Sequence, residues 1–308
     1  MGATETHSLA SIGKGGHRLG VLIVEYRDPA GALRLAEALR WDSRFEIVII
    51  STGPTAVAAP GPGVHAIHLP SNPGFGAALN RGSEALSNRV THMLLCNTDI
   101  HLSRDAALRL WEHARTTGWA QLSPMIIGPA GLVEWDGGHI DFLRIQVVHE
   151  GLGHWPKSGP GARPTTFVTG ACMMVRRDAW NAVGGMKEDF FLYGEDADFS
   201  MRLQRAGLVG GVVRRIQLVH ETSTAVGRDS PLQLYLMTRN GIRIFREWSP
   251  HSWGRLACWI VLPLRLSLRL LRRGNPRSLA WILRGVTDAR RTSVYHHRQG
   301  RAAEVLRG

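Results

Sequence analysis

Cysteine is scarce in this chain: there are three among 308 residues, Cys96, Cys172 and Cys258. An odd number without metal-ligand spacing argues against a disulfide framework and points to a reducing, cytoplasmic setting. An apolar leader is also missing. The opening residues, MGATETHSLASIGKGGH, hold no hydrophobic core of the kind a secretory signal needs and read as a polar tail. Long hydrophobic runs are absent too. Leu256 to Leu271 is apolar but broken by Pro263, Arg265 and Arg269, which argues against a membrane span. Acid is short near the end. From Arg239 onward fifteen arginines face only Glu247, Asp288 and Glu304, so the formal charge of +12 sits in this final stretch and the rest is near neutral. What remains is a globular composition, 44% hydrophobic and 20% charged, long enough to bury a sizeable core in one large or two modest domains.

Leu19 to Val24 and Phe45 to Ile50 are short apolar runs of the buried-strand kind, and Val64 to Leu69 is a weaker third. Between the first two, Asp28-Pro29 caps and starts a helix through Leu33, Ala36 and Leu39. His92 to Cys96 is a further strand, followed by a helix that Ser103 caps and that runs through Ala107, Leu110 and Trp111. Ala120 to Ile127 and Val212 to Val219 are strands as well. Strands alternating with helices predict an α/β fold: a mainly parallel central sheet flanked by helices, with ligands outside the carboxyl ends of the strands. From Gly128 to Pro164 the pattern breaks up, as a lid, an acceptor loop or an exposed insertion would. His139, His149 and His154 lie there too irregularly to propose a metal site.

Chemistry-bearing residues gather at the strand ends. Asn72-Pro73-Gly74-Phe75-Gly76, continuing to Asn80-Arg81-Gly82, follows the third strand. Glycines at a strand-to-helix turn let amides approach a phosphate, or simply make the turn. Asn97-Thr98-Asp99 closes the fourth strand. A carboxylate there either caps a turn or offers the hard oxygen that suits magnesium or manganese on a diphosphate. The most concentrated stretch is Gly170 to Gly207. At its centre Gly194-Glu195-Asp196-Ala197-Asp198 opens a helix, with Phe199, Leu203 and Ala206 at helical spacing and Gly207 as its stop. First-turn acids stabilise a helix dipole, and Asp198 with Arg202 makes an i,i+4 pair, yet packing alone does not require three acids within four residues. His220, ahead of Glu221-Thr222-Ser223, suits a metal ligand, a pyrophosphate donor or a satisfied surface histidine.

In this order the motifs resemble the family 2 inverting glycosyltransferases of the GT-A fold, particularly their rhamnosyltransferase-like branch, over about Leu19 to Phe245. The likeness is carried by the Asn72 to Gly82 turn, Leu94-Leu95-Cys96-Asn97-Thr98-Asp99, Thr169-Gly170 to Gly185 with Phe191 to Arg202, and His220 to Ser223. It implies transfer of a sugar, possibly rhamnose, from a nucleotide-diphosphate donor to a hydroxyl of a glycan, glycolipid or small-molecule acceptor, with Mg2+ or Mn2+ as cofactor. dTDP-rhamnose is the favoured donor, with UDP- or GDP-sugars as alternatives. Carried over by position, Asp196 is the catalytic base and Glu195 its neighbour that helps hold the acceptor. Asp99 coordinates the ion, and His220 contacts metal or diphosphate. Asn97 takes the first place of the family's DxD-like motif, and Ser51, Asn72, Gly74, Phe75, Gly76 and Asn80 join it as donor-binding residues. A base of this kind takes the acceptor proton as the oxygen attacks the anomeric carbon, and the helix N-terminus should keep Asp196 ionised. Arg239-Asn240 resembles a pair common in the branch. Two departures concern the nucleotide: Ser51 stands where the family usually has Asp, and Glu25-Tyr26-Arg27 where it has Thr-Tyr-Asn.

The chain divides into a polar tail (1–17), a GT-A domain (18–247) and a basic amphipathic helical region (248–308). Leucine, tryptophan and isoleucine mixed with arginine in the last suit an interfacial helix attracted to anionic lipid, placing the protein peripherally on the inner face of the plasma membrane. No nucleic-acid motif accompanies the charge, so no nucleic-acid partner is expected. Two other readings share part of the pattern. A nucleotidyltransferase would use a nucleotide-binding sheet without calling for the Glu-Asp segment. A catalytically inactive, membrane-associated scaffold would keep the motifs without transfer.

Overall fold

Runs of branched apolar residues become the middle of one sheet. β1 (Arg18–Glu25), β2 (Phe45–Ser51) and β3 (Val64–His68) pair in parallel, and β4 (Val90–Asn97) joins the free side of β1, also in parallel. Val21, Leu22 and Ile23, with Ile47 to Ile50 beside them, are fully excluded from water, as strands covered on both faces must be. β11 (Cys172–Arg176) runs antiparallel to both β4 and β6 (Gln121–Ile127), and β12 (Gly210–His220) returns parallel to β6. With β10 (Arg163–Thr165) at one edge, the order is β10-β12-β6-β11-β4-β1-β2-β3. Two parallel groups are thus joined through one reversed strand. The computed structural model describes residues 16–221, 229–273 and 278–290. Thr222-Ser223, nearly all of the polar tail and residues 291–308 of the basic region lie outside them.

The segment 128–164 is more regular than its composition predicts. β7 (Val133–Trp135) pairs with β6, and β8 (Gly138–Asp141) with β9 (Gln146–His149) forms a separate hairpin. Strands this short leave no periodicity to read. All three cysteines are buried and free, Cys96 facing Cys172 across the β4–β11 pair.

Helices cover the faces. α1 (Pro29–Leu39) starts where the Asp28 carboxylate accepts the Gly31 N–H at 3.0 Å, and α3 (Arg104–Thr117) where Ser103 Oγ accepts that of Ala106. α2 (Phe75–Glu84) and α4 (Arg177–Val183) follow the Gly-rich turn and β11. α5 (Glu195–Arg205) stops as expected at Gly207. The Gly207 and Leu208 amides turn back to the Gln204 and Leu203 carbonyls, with Gly207 at φ +73°.

The basic region is no loose appendage. α6 (Pro231–Trp248), α7 (Ser252–Arg272) and α8 (Leu279–Ala289) pack together, and Ile242, Phe245, Trp248, Cys258 and Ala289 belong to the main core. α8 meets α6 at Gly285, where an added Cβ would lie 2.8 Å from the Tyr235 carbonyl. Among the described residues no helix is long and apolar enough to cross a membrane.

Candidate active site

The cleft is organised by a strained turn ahead of α5. A 3-10 turn at Glu188–Phe190 leads into Phe191, whose φ of 67° and ψ of −62° form a γ-turn rare for a side-chain-bearing residue; the Leu192 N–H donates to the Phe190 carbonyl. Tyr193 also has a φ of 67°, and Gly194 takes φ +97°, where an added Cβ would lie 2.8 Å from Ile244. Such backbone persists only where its surroundings over-determine it. Here α6 does so. Asn240 Nδ2 donates to the carbonyls of Phe190, Leu192 and Tyr193 at 2.9, 2.9 and 2.6 Å, and Arg239 to those of Asp189 and Phe190. The Arg239-Asn240 pair is therefore the clamp on this turn.

Beyond the turn, the three acids of α5 part company. Asp198 is fully buried and structural. It pairs with Arg202 at 2.7 Å and Lys187 at 3.0 Å and accepts the Trp248 indole N–H at 3.1 Å. Asp196 faces a cleft of about 340 Å³ lined also by Phe75, Asn97, His149, Glu195 and Asn240. Its carboxylate accepts the amides of Gly170 at 2.9 Å and Ala197 at 2.8 Å. Burial raises its pKa above the usual aspartate value, against the pull of those amides and of His149. The helix N-terminus alone therefore does not set its ionisation. Glu195 lies deeper, 5% exposed, with Oε2 bonded to nothing among the described residues. Burial, and then the charge of Asp196, push it up to about 8. Burial thus raises both neighbouring carboxyls, Glu195 further through the charge of Asp196.

Asp99 and His220 meet at the far end of β4. β5 (Ile100–His101) pairs with the end of β12, placing His220 Nε2 3.1 Å from Asp99 Oδ1. The other ring nitrogen lies 2.6 Å from Glu134 Oε2 on β7. Burial works to lower the His220 pKa, but the two carboxylates outweigh it and raise it to about 9. The Asp99 carboxylate is a suitable donor for manganese or magnesium, whereas the His220 imidazole, held by carboxylates on both nitrogens, must release its proton before it can ligate an ion. Two donors are not a preformed site, and among the described residues no group of three or more ligand side chains could hold an ion. The pair fits an ion that arrives with diphosphate oxygens of its own.

The expected donor-binding residues separate. Phe75 and Asn97 line the cleft. Asn72, Gly74, Gly76 and Asn80 build its wall instead. The Asn72 side chain accepts the Gly74 amide, and an added Cβ at Gly74, which has φ +98°, would lie 2.5 Å from the Phe191 carbonyl. Gly76 packs against Met186 and Lys187, and Asn80 exchanges hydrogen bonds of 2.9 Å with the Met186 backbone. The first amide of α2, on Phe75, is taken by the Phe191 carbonyl at 2.7 Å. The glycines of this turn thus serve close packing rather than an open phosphate cradle. Ser51 is fully buried, and its hydroxyl accepts the Val57 N–H at 3.0 Å, so its side chain closes a turn and does not face a nucleotide. Across the β1–β2 pair stands Glu25, 2% exposed, with one carboxylate oxygen unbonded among the described residues. Glu134 escaped the sequence reading, and His149 was given no role in it, because the irregular segment carries both. His149 lines the cleft and sits 3.3 Å from the Glu134 carbonyl, linking the cleft to the Asp99–His220 pair.

Residues 139–287 match the description Glycosyl transferase family group 2. An N-acetylglucosaminyl-diphospho-decaprenol L-rhamnosyltransferase of Mycobacterium tuberculosis is 28% identical over 257 residues, covering 71% of this chain and 82% of that protein. A low-salt glycan biosynthesis hexosyltransferase of Haloferax volcanii is 21% identical, covering 72% of this chain and 73% of that protein. Among solved structures, a mannosyltransferase from Pyrobaculum calidifontis in complex with GDP-Man and Mn2+ superposes with a TM-score of 0.52 at 10% identity, over 94% of this chain and 85% of that one. S. aureus TarS, residues 1–349, gives 0.51 at 10% identity, over 88% and 80%. The family match and the relatives make this protein a glycosyltransferase, and its fold has GT-A architecture. The chain is similar to the family 2 glycosyltransferases, a rhamnosyltransferase among them.

Proposed function

We propose that this enzyme transfers a deoxyhexose, with dTDP-rhamnose as donor, to a hydroxyl of a glycan carried on a lipid diphosphate, inverting the anomeric centre in a single displacement. The observation that carries the reading is the convergence of Phe75, Asn97, Glu195 and Asp196 on one cleft, with the Asp196 carboxylate fixed by two amides. Asp196, as the ionised member of the pair, takes the acceptor proton while the acceptor oxygen attacks, a contribution of about 10²–10⁴-fold for general-base catalysis. Glu195, holding its proton, donates a hydrogen bond to the acceptor. No enzyme nucleophile is needed. Asp99 and His220 would hold a Mg2+ or Mn2+ ion delivered with the donor, which when bound neutralises charge on the departing diphosphate. The acceptor class is supported by the name of the mycobacterial relative, and the metal by the Mn2+ of the Pyrobaculum structure. The arginine-rich helical region supports a peripheral location on the anionic inner face of the plasma membrane. A tail (1–17), a catalytic domain (18–247) and a membrane-directed region (248–308) that packs into the catalytic core suit that role.

A donor panel tests this: dTDP-rhamnose, UDP-sugars and GDP-sugars with a polyprenyl-diphosphate-linked acceptor, with and without chelator. Transfer from dTDP-rhamnose, lost in chelator and restored by Mn2+ or Mg2+, is expected. Full activity in excess chelator removes the metal role, and exclusive use of a UDP- or GDP-sugar removes the donor assignment.

A further inference from the structure

α7 carries a face that nothing in the described chain covers. Trp253, Leu256, Ile260, Leu264, Leu268 and Leu271 recur every three or four residues over its whole length and are all exposed, Leu256 to 71% and Ile260 to 69%. This is the spacing of one helical stripe. A stripe five turns long is rare on a surface that meets only water. Leu256 also lines an open pocket of about 530 Å³, whose other walls are Arg246, Arg255, Arg290 and Trp259. The Arg246 and Arg290 guanidiniums lie 5.2 and 5.7 Å from the Trp259 ring. Among the described residues none of the three arginines has an acidic partner; Arg246 and Arg255 donate to backbone carbonyls of Ala289 and Ser249. Nearby arginines do have one: Arg243 uses Asp189, and Arg269 and Arg273 use Asp229 at the other end of α7.

Three unpaired guanidiniums converging beside an apolar stripe match an amphiphile with a phosphate at one end and acyl chains at the other. We infer that this face of α7 docks on a bilayer of anionic phospholipid, with the stripe in the interfacial layer and a lipid phosphate seated among Arg246, Arg255 and Arg290. Guanidinium donors suit phosphate oxygens, and the Trp259 ring closes the pocket at the depth where indoles favour the interface. The inference deepens the membrane placement proposed above and rests on it, but it does not depend on the donor or the sugar. α6 connects the two functions: Asn240, Gly241 and Ile244 line the catalytic cleft, and Arg246 lines the lipid pocket.

The test is co-sedimentation of the full chain with vesicles of phosphatidylcholine alone or with one-third phosphatidylglycerol, at about 0.1 M and about 1 M salt. Binding should require phosphatidylglycerol and weaken in high salt. Arg255→Gln with Arg290→Gln should lower affinity by about ten- to thirty-fold, and Ile260→Ser with Leu264→Ser by a similar factor. Arg290→Gln alone alters an exposed side chain and should cost about fivefold without touching the packing of α7. All variants should keep wild-type transfer to a soluble acceptor. Equal binding by wild type and arginine variants would overturn the phosphate seat. Absence of wild-type vesicle binding with transfer intact would sink the docking face while leaving the proposed reaction standing. A solution dimer that Ile260→Ser with Leu264→Ser makes monomeric would assign the stripe to a second copy and overturn the inference.

Discussion

Asp196 and Asp198 sit two residues apart on the first turn of α5, yet they answer to different surroundings. Asp196 accepts two backbone amides at the edge of the cleft, whereas Asp198 is sealed between Arg202, Lys187 and the Trp248 indole. Asp196→Asn should leave folding and nucleotide binding close to wild type and cut the transfer rate by about 10²–10⁴-fold, read in single-turnover kinetics with donor saturating. Asp198→Asn should do the reverse. It leaves the buried Arg202 guanidinium facing a neutral amide, while Lys187 keeps Glu247, and stability should fall by about 3 kcal/mol in denaturant unfolding. Glu195 adds a pH signature. Its folded pKa, about 8, is raised above the ordinary value of 4.5, so its stabilising contribution is complete below that ordinary value and is lost as pH rises through about 8. The unliganded enzyme should therefore melt lower at pH 9 than at pH 5 by more than its Glu195→Gln variant does. Parallel melting curves for the two proteins across that range would remove the buried acid as the cause.

At the scale of elements, the turn from Glu188 to Gly194 and the helix that grips it behave as one unit. Asn240→Ala strips the Leu192 and Tyr193 carbonyls of their donor, at about 1–3 kcal/mol for leaving buried polar groups unmet, and loosens the backbone that delivers Glu195 and Asp196. Stability and turnover should fall together while the KM for donor changes little. A variant with lower stability but unchanged turnover would make Asn240 a structural residue only. This unit shows where local sequence stops being informative. The start, face and stop of α5 are legible because capping, periodicity and Gly207 act within a few residues. The clamp is not, because Asn240 finds its partners 47 to 50 residues upstream, a relation no local pattern encodes. Glu134 and the role of His149 were hidden for a related reason: the strands that carry them have three and four residues, too few for an alternation to show. The Gly-rich turn was visible as a turn, but whether its amides faced solvent or the Phe191 carbonyl depended on a segment more than a hundred residues away.

For the molecule as a whole, the parallel groups of the sheet follow from alternating strands and helices, but the direction of β11 does not, since an apolar run has no sense of direction until its neighbours are known. The boundary at 247/248 marks a change in composition and not a place to cut. Trp248 bonds to Asp198, and Cys258 and Ala289 lie in the main core. A chain ending before Trp248 should lose cooperative unfolding, followed by circular dichroism; an unchanged melting temperature would show that α7 and α8 are separable. The reversed strand has a further consequence, which concerns synthesis. β4 and β6 are complete by Ile127, but β11 between them does not exist until Cys172 to Arg176 has been made. At about 5–20 residues per second, the ribosome leaves the edge of β4, with Met93, Leu94 and Leu95 along it, without its neighbour for about 4–15 seconds after Asn97 is added. An unpaired apolar edge invites pairing with another chain. The nascent protein therefore passes through an interval of its own making in which a chaperone, or slow local expression, decides between folding and aggregation.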